Sequence, residues 1–125
     1  MRPCVLASSR LLPYAEILLA GDCEPFFPVA RGAASLREAV AGADALIVRA
    51  QLPDDIFSHA PKLRACVRHR VGLDFIPVEP ATRAGIPVAN LPAANRQTVV
   101  EYVVGTAVSL ARDLHRLVAD FRGEG

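Results

Sequence analysis

Short apolar runs alternate with amphipathic stretches along most of the chain, and this alternation constrains the fold more than any other feature. The clearest run, DALIVR at residues 44–49, is almost continuously apolar, as is typical of a strand buried on both faces of a parallel sheet. Because helix-like stretches separate such runs, the pattern is that of repeated βαβ units. The sequence therefore predicts an α/β fold with a doubly wound, parallel, five-stranded sheet.

The predicted elements follow one another without an obvious linker, repeat or low-complexity segment. We expect strands at residues 3–8, 26–29, 44–49, 64–69 and 86–90, and helices at 11–21, 34–42, 53–60 and 77–84. Three of these helices are expected to end at Gly21, Gly42 and Gly85, since glycine readily closes a helix in the left-handed conformation.

The last segment has a different pattern. Its apolar residues keep three- and four-residue spacing, which predicts one long helix from Asn95 to residue 122 with Asn95 as its N-cap; the stripe consists of Val100, Val103, Val104, Ala107, Ala111, Leu114, Val118 and Phe121. Val99 and Val108 lie off this stripe, so the first half should be buried on more than one side. A domain of this size has little material to cover such a helix, and we expect another domain or subunit to do so.

Charge and composition argue against several classes of protein. The chain has 125 residues, enough for one core, and its 14 basic and 13 acidic residues leave a net charge of +1. Such a balance predicts neither a nucleic-acid partner nor a membrane surface. There is no signal-like or membrane-spanning apolar run, which predicts a cytoplasmic protein. Its three cysteines lie far apart within apolar runs, so we expect buried free thiols.

No complete catalytic motif stands in the sequence. A nucleophile elbow, a P-loop and a zinc-ligand spacing are all missing, and the three histidines are far apart. The eight glycines never form the G-x-G-x-x-G pattern of a Rossmann nucleotide site. We therefore predict no catalytic residue and no metal ligand in this chain.

Polar residues follow three of the predicted strands at their carboxyl ends, where open α/β sheets bind ligands. Arg49 ends the third strand, residues 68–74 follow the fourth and residues 90–95 follow the fifth. Arg49 and Arg68 suit a carboxylate or a phosphate. Each arginine is equally explained as a solvated or ion-paired strand end, and this alternative stays open.

The backbone after the fourth strand is a second candidate for anion binding. The N–H groups of Arg70, Val71 and Gly72 would cradle the same oxygens. Gly72 also has a structural explanation, because a tight turn often needs positive φ. His69, a lone histidine, is expected to be a packed or surface residue rather than an acid–base group.

Several blocks taken together resemble the D-isomer-specific 2-hydroxyacid dehydrogenases. The longest is similar to the family block R-x-G-V-G-x-D-x-I-D…A…G-I-x-V-x-N-x-P, and an N-x-x-x-V-x-E pattern follows it. The matching segments are DALIVR at 44–49, APKLR at 60–64, RHRVGLDFIPVEPATRAGIPVANLP at 68–92, and Asn95, Val99 and Glu101. The first 43 residues fit the family's layout without a diagnostic motif.

The resemblance implies a flavodoxin-like substrate-binding domain at residues 1–94, an interdomain helix at 95–122, and a Rossmann NAD-binding domain that this chain lacks. It implies an oxidoreductase that passes a hydride between C2 of a 2-hydroxy acid and NAD. The chain would be a truncated, NAD-dependent D-2-hydroxyacid dehydrogenase. It would be inactive alone, because the catalytic His, carboxylate and Arg belong to the missing part. We also expect it to form a homodimer. The alternatives are a free-standing small-anion-binding or dimerisation module and a non-functional remnant.

By resemblance, Arg49, Arg68 and the main-chain N–H groups of Arg70, Val71 and Gly72 bind the substrate, a 2-hydroxy or 2-oxo acid. Position 70 departs from the family, which has glycine there. If this residue takes positive φ, an arginine costs of order 1 kcal/mol in strain, and its side chain fills the substrate pocket.

The resemblance also assigns roles to two residues at the start of the long helix. Asn95 matches a substrate-binding position near the reacting carbonyl. Val99, together with Val71, matches a position near the nicotinamide of the cofactor.

Overall fold

The computed structural model describes residues 2–123, and the chain divides into two compact units, Met1–Pro92 and Ala93–Gly125. The first unit contains five strands, and their bounds are β1 (Cys4–Ala7), β2 (Glu24–Phe26), β3 (Ala45–Val48), β4 (Ala65–Arg68) and β5 (Val88–Ala89). All neighbouring strands pair in parallel, in the order β2-β1-β3-β4-β5. This is the flavodoxin-like order, so the predicted doubly wound sheet is confirmed.

Helices connect these strands. They are α1 (Pro13–Asp22), α2 (Ala33–Val40), a 3₁₀ helix (Ile56–His59) and α3 (Val78–Arg83). The end of α3 follows from its sequence: Gly85 has a φ of 69° and its N–H donates to the carbonyl of Thr82, while the Ile86 N–H donates to that of Ala81. These two bonds satisfy carbonyls that the helix leaves open, so Gly85 ends α3 as predicted.

The core lies between the sheet and its helices. Leu6, Leu46, Val48 and Cys66 of the three central strands are almost fully buried. Burial stabilises each aliphatic side chain by about 1.5–3 kcal/mol relative to exposure. Burial also raises the pKa of the Cys66 thiol to about 12, so this cysteine is an unreactive core residue, as expected of a buried free thiol.

Several boundaries differ from the prediction. The second helix ends at Val40, two residues before the expected stop at Gly42, and the helix expected at 53–60 is the short 3₁₀ helix Ile56–His59. The second strand, expected at residues 26–29, lies at Glu24–Phe26, because the ladder to β1 begins where Cys4 pairs with Glu24. The expected stop of the first helix at Gly21 is wrong, since α1 continues through Asp22.

The second unit corrects the prediction of one long helix. The chain forms α4 (Arg96–Ala111) and α5 (Leu114–Arg122). Between them Asp113 adopts the left-handed conformation, with a φ of 50°, which interrupts the helical backbone. Aspartate tolerates this conformation better than most residues, and the carbonyl of Asp113 then accepts the first N–H groups of α5, from Arg116 and Leu117.

Neither α4 nor α5 contains a buried residue. Their apolar side chains are instead exposed, and the large ones are Val99, Val100, Tyr102, Val103, Val104, Val108, Leu110, Leu114, Leu117, Val118 and Phe121. The predicted apolar stripe is therefore present on α4 and α5, and no described residue buries it.

Candidate functional site

The carboxyl ends of β3 and β4 bring the predicted basic residues together. These strands are neighbours, with Val48 opposite Arg68, and the His69 N–H donates to the Val48 carbonyl at 3.0 Å. Arg49 and His69 therefore leave the sheet side by side. The expected convergence of strand ends holds for these two loops because parallel neighbours end at the same edge.

The loop after β4 presents backbone donors outward. Arg70, Val71 and Gly72 are all exposed, and within residues 2–123 their N–H groups have no hydrogen-bond acceptor. The carbonyls of this loop are held instead: the Leu91 N–H donates to the Arg70 carbonyl at 3.2 Å, and Asn90 Nδ2 donates to the Val71 carbonyl at 2.6 Å. The carbonyl groups of the loop are thus held by hydrogen bonds, whereas its N–H groups remain available to an external anion.

The electrostatic environment of this loop is positive. Partial burial first, and then Arg49, Arg70 and Arg68, hold the pKa of His69 below its usual value. Three arginines thus lie near one imidazole at this edge of the sheet. Because a bound anion would oppose these charges, the site favours carboxylates or phosphates.

Arg68 is part of the framework of this site. It is only 5% exposed, and its guanidinium donates from Nη1 to the Val48 carbonyl at 3.0 Å and from Nε to the Gly72 carbonyl at 3.2 Å. The same group stacks on Phe75, with Cζ 4.2 Å from the ring centroid. Arg68 thus joins the end of β3 to the 70–72 loop, while its predicted contact with substrate stays a prediction.

Arg49 is half-buried and lies against the loop after β1. Its backbone N–H donates to Ser8 Oγ at 2.8 Å, and its Nη1 donates to the carbonyl of Arg10. Ser8 is a residue that the sequence reasoning missed. Its signal was its position, directly after the first strand at the edge where ligands bind.

The backbone at positions 70 and 72 differs from the expectation. Within the described residues, positive φ at non-glycine residues occurs at Ala93 and Asp113, so Arg70 carries no strain of this kind. Gly72 also lacks positive φ, and the turn explanation for it is wrong. Space explains it better, because a Cβ there would lie 2.7 Å from Asp74 Oδ2. Glycine therefore permits the close approach of that carboxylate.

Asn95 and Val99 belong to the second unit. Asn95 directly precedes α4 as predicted, but its side chain makes no capping hydrogen bond with the described residues; its carbonyl accepts the Val99 N–H at 3.0 Å. Val99 is 49% exposed. Their expected places near the reacting carbonyl and the nicotinamide stay predictions.

Residues 2–123 contain neither a metal-binding cluster nor a membrane-spanning helix. No group of three or more histidine, cysteine or acidic residues is arranged to hold a metal ion. None of the helices in the same range has both the length and the apolar character needed to cross a membrane.

Several known proteins are similar to this chain in sequence or in fold. D-3-phosphoglycerate dehydrogenase of Mycobacterium bovis is 31% identical over 122 residues, covering 96% of this chain and 23% of the relative. A crystal structure from Pyrococcus horikoshii superposes with a TM-score of 0.77 at 25% identity, over 99% of this chain and 38% of that one. The 3-phosphoglycerate dehydrogenase of Entamoeba histolytica shares the fold at 24% identity, with a TM-score of 0.72, over 87% of this chain and 39% of that one.

The chain thus spans about a quarter of the length of the Mycobacterium relative. A family model matches residues 5–122, which is nearly the whole chain, and it describes the catalytic domain of D-isomer specific 2-hydroxyacid dehydrogenases. The chain therefore belongs to the D-isomer-specific 2-hydroxyacid dehydrogenase family, a family of oxidoreductases.

Proposed function

We propose that this chain is the substrate-side domain of an NAD-dependent D-2-hydroxyacid dehydrogenase, and that the loop of residues 70–72 binds the carboxylate of a 2-hydroxy or 2-oxo acid. The observation that carries the proposal is a run of three exposed residues whose N–H groups have no acceptor within residues 2–123, in a loop that lies near Arg49. Such a row stabilises a carboxylate through charge-assisted hydrogen bonds.

In this proposal the three arginines have different roles. Arg49 and Arg70 supply positive charge next to the loop, and Arg49 is fixed by its bonds to Ser8 and to the Arg10 carbonyl. Arg68 orients the loop through the Gly72 carbonyl. Because Arg70 is exposed and unstrained, it adds a ligand for the anion instead of abolishing the site.

The cofactor is proposed from the family, and the Entamoeba relative was solved with NAD⁺ bound. The residues here fit one end of such a cofactor: Val71 is 46% exposed and offers an apolar contact to a nicotinamide beside the carboxylate loop. They do not fit its phosphates, because the glycines never form a G-x-G-x-x-G turn. NAD supplies the hydride acceptor when bound, so we propose that a separate Rossmann domain holds it.

The exposed apolar side chains of α4 and α5 support a partner for the second unit. We propose that the Rossmann domain or a second subunit in a homodimer covers them, since patches of this size usually mark an interface. Light scattering of the chain should give the mass of a dimer that Val104→Glu converts to a monomer. A monomer at all concentrations would rule out the homodimer, and the Rossmann domain would then be the proposed partner of α4 and α5.

Binding of a small acid tests the carboxylate site. Calorimetry should detect pyruvate, and its neutral analogue pyruvamide should give no heat. Arg49→Gln should weaken pyruvate binding by about tenfold, which corresponds to the loss of one charge-assisted contact. The matched control is Arg83→Gln, which removes an exposed arginine paired with Glu79 and should leave the affinity unchanged.

Equal binding of pyruvate and pyruvamide would refute a carboxylate site. The same proposal predicts that the chain alone does not consume NADH with any 2-oxo acid, because the hydride-transfer machinery is expected in the other domain. Turnover by a clean preparation would contradict that division of roles.

A further inference from the structure

An opening lies at the same edge of the sheet as the 70–72 loop. This cleft of about 1070 Å³ is formed by the residues that follow β1, β2 and β3. The chain goes from β1 to β2 on one side and β3 pairs with β1 on the other, so the cleft includes the β1/β3 switch point of the sheet. Open α/β sheets bind ligands at such points, and the volume is that of a site for a small organic molecule.

The lining of the cleft combines apolar walls with positive charge. Phe26, Leu36 and Leu52 form apolar walls, and they belong to or pack against the core. Arg10 and Arg31 are its charged residues, and no aspartate or glutamate is among the described residues that line it. Arg10 forms an ion pair with Glu16 at 3.6 Å, so Arg31 is the main positive charge offered to a ligand. Arg10 stacks on Phe27, with Cζ 4.9 Å from the ring centroid, so an aromatic face and a cation adjoin.

Ser8 gives the cleft a buried donor. This residue is 7% exposed and lines the cleft. Its Oγ accepts the N–H groups of Arg49 at 2.8 Å and Ala50 at 2.9 Å. Because both lone pairs of the hydroxyl are occupied, its own proton remains to be donated, and no acceptor for it lies within the described residues.

The start of α2 adds backbone donors. Gly32 and Ala33, at the first turn, line the cleft, and no side chain caps this end of the helix. Uncapped first-turn N–H groups favour an anion. Arg31, the Ser8 hydroxyl and this helix end therefore all favour an anionic group.

We propose that this cleft is a binding site for a small molecule with an apolar ring and one anionic group, separate from the carboxylate loop. The ring lies against Phe26, Leu36 and Leu52, and the anion meets Arg31 and the Ser8 hydroxyl. No residue of the 70–72 loop is among those lining the cleft. The bond from Arg49 to the Arg10 carbonyl lies between the two sites, so the cleft ligand touches the support of the proposed substrate arginine.

Amide chemical shifts of the ¹⁵N-labelled chain test this site with three probes: phenyl phosphate, inorganic phosphate and benzyl alcohol. Phenyl phosphate should bind at least about tenfold more tightly than either of the others, because it alone satisfies both the walls and the cations. The largest shifts should fall on Ser8, Gly32 and Leu52. Equal affinities for phosphate and phenyl phosphate, or shifts confined to residues 70–72, would overturn the proposal.

Two variants complete the test. Arg31→Gln should weaken phenyl phosphate severalfold, whereas the control Arg83→Gln should not. Ala33→Trp fills the cleft from an exposed helix start, and it should abolish phenyl phosphate binding while pyruvate still binds at 70–72. A filled variant that keeps its affinity for phenyl phosphate contradicts the cleft site without touching the carboxylate loop.

Discussion

The two units of the chain use apolar residues in opposite ways. In the first unit the central strands bury theirs almost completely, and Leu46 is 1% exposed. In the second unit α4 and α5 bury none, and Val104 is 57% exposed. Both segments have a regular apolar spacing, so spacing predicts the type of element but not what covers it. The first unit supplies its own core, whereas the second leaves its apolar side chains exposed.

The largest change in unfolding free energy is expected between truncations at buried Leu46 and at exposed Val104. Leu46→Ala should lower the free energy of unfolding by about 2–5 kcal/mol, because it removes buried methyl groups and leaves a cavity. Val104→Ala, the matched truncation in α4, should change it by less than about 0.5 kcal/mol in the monomer. Urea denaturation measures both. A similar loss in the two variants would mean that α4 is already covered in the isolated chain.

Within the first unit, Arg68 is a charged residue buried like a core residue, whereas its neighbour Arg70 is exposed. Arg68→Met should cost about 2–4 kcal/mol, since two carbonyls lose a charged donor and Phe75 loses its stacking partner. Arg70→Met, at an exposed neighbour, should be nearly neutral for stability. Urea denaturation of both variants decides, and a neutral Arg68→Met would refute the framework role.

The two units contain glycines in different backbone conformations, so glycine-to-alanine substitutions should have opposite effects on stability. Gly85→Ala should destabilise the first unit by about 1 kcal/mol, because position 85 has positive φ. Gly105→Ala, inside α4 with open space around its Cβ, should raise helix stability by about 0.5–1 kcal/mol. Thermal unfolding followed by circular dichroism gives both signs, and the same sign for both would contradict the assigned conformations.

The smallest effect is a pH dependence confined to the first unit. The pKa of His69 is lowered in the folded chain, so the unfolded chain takes up the proton first as pH falls. Stability is therefore full above the unfolded value of about 6.5 and decreases as pH falls below it. Arg49→Gln should reduce this slope by removing one neighbouring cation. An unchanged slope would separate Arg49 from the His69 environment.

The sequence predicted what depends on pattern and family resemblance. Alternation gave the five-stranded sheet, and strand ends gave the grouping of Arg49 and Arg68. The alternation of buried and less buried residues along β4 could also have predicted that Arg68 is buried, since Cys66 and Arg68 lie on the same face of the strand.

Other features depend on atoms that no residue pattern specifies. The apolar stripe continues past Asp113, so periodicity did not reveal that one helix becomes two. The cleft needs residues from three separate loops, and its position follows from how β1, β2 and β3 end together. Loop acceptors held by residues 90–91 likewise appear only once the loops are placed.

Carboxylate binding by the backbone of residues 70–72 can be observed in the amide chemical shifts of the chain during a titration with glyoxylate. The N–H signals of Arg70, Val71 and Gly72 should move downfield together, and Arg49→Gln should weaken the response. Saturating glyoxylate that leaves these three signals in place would contradict the account.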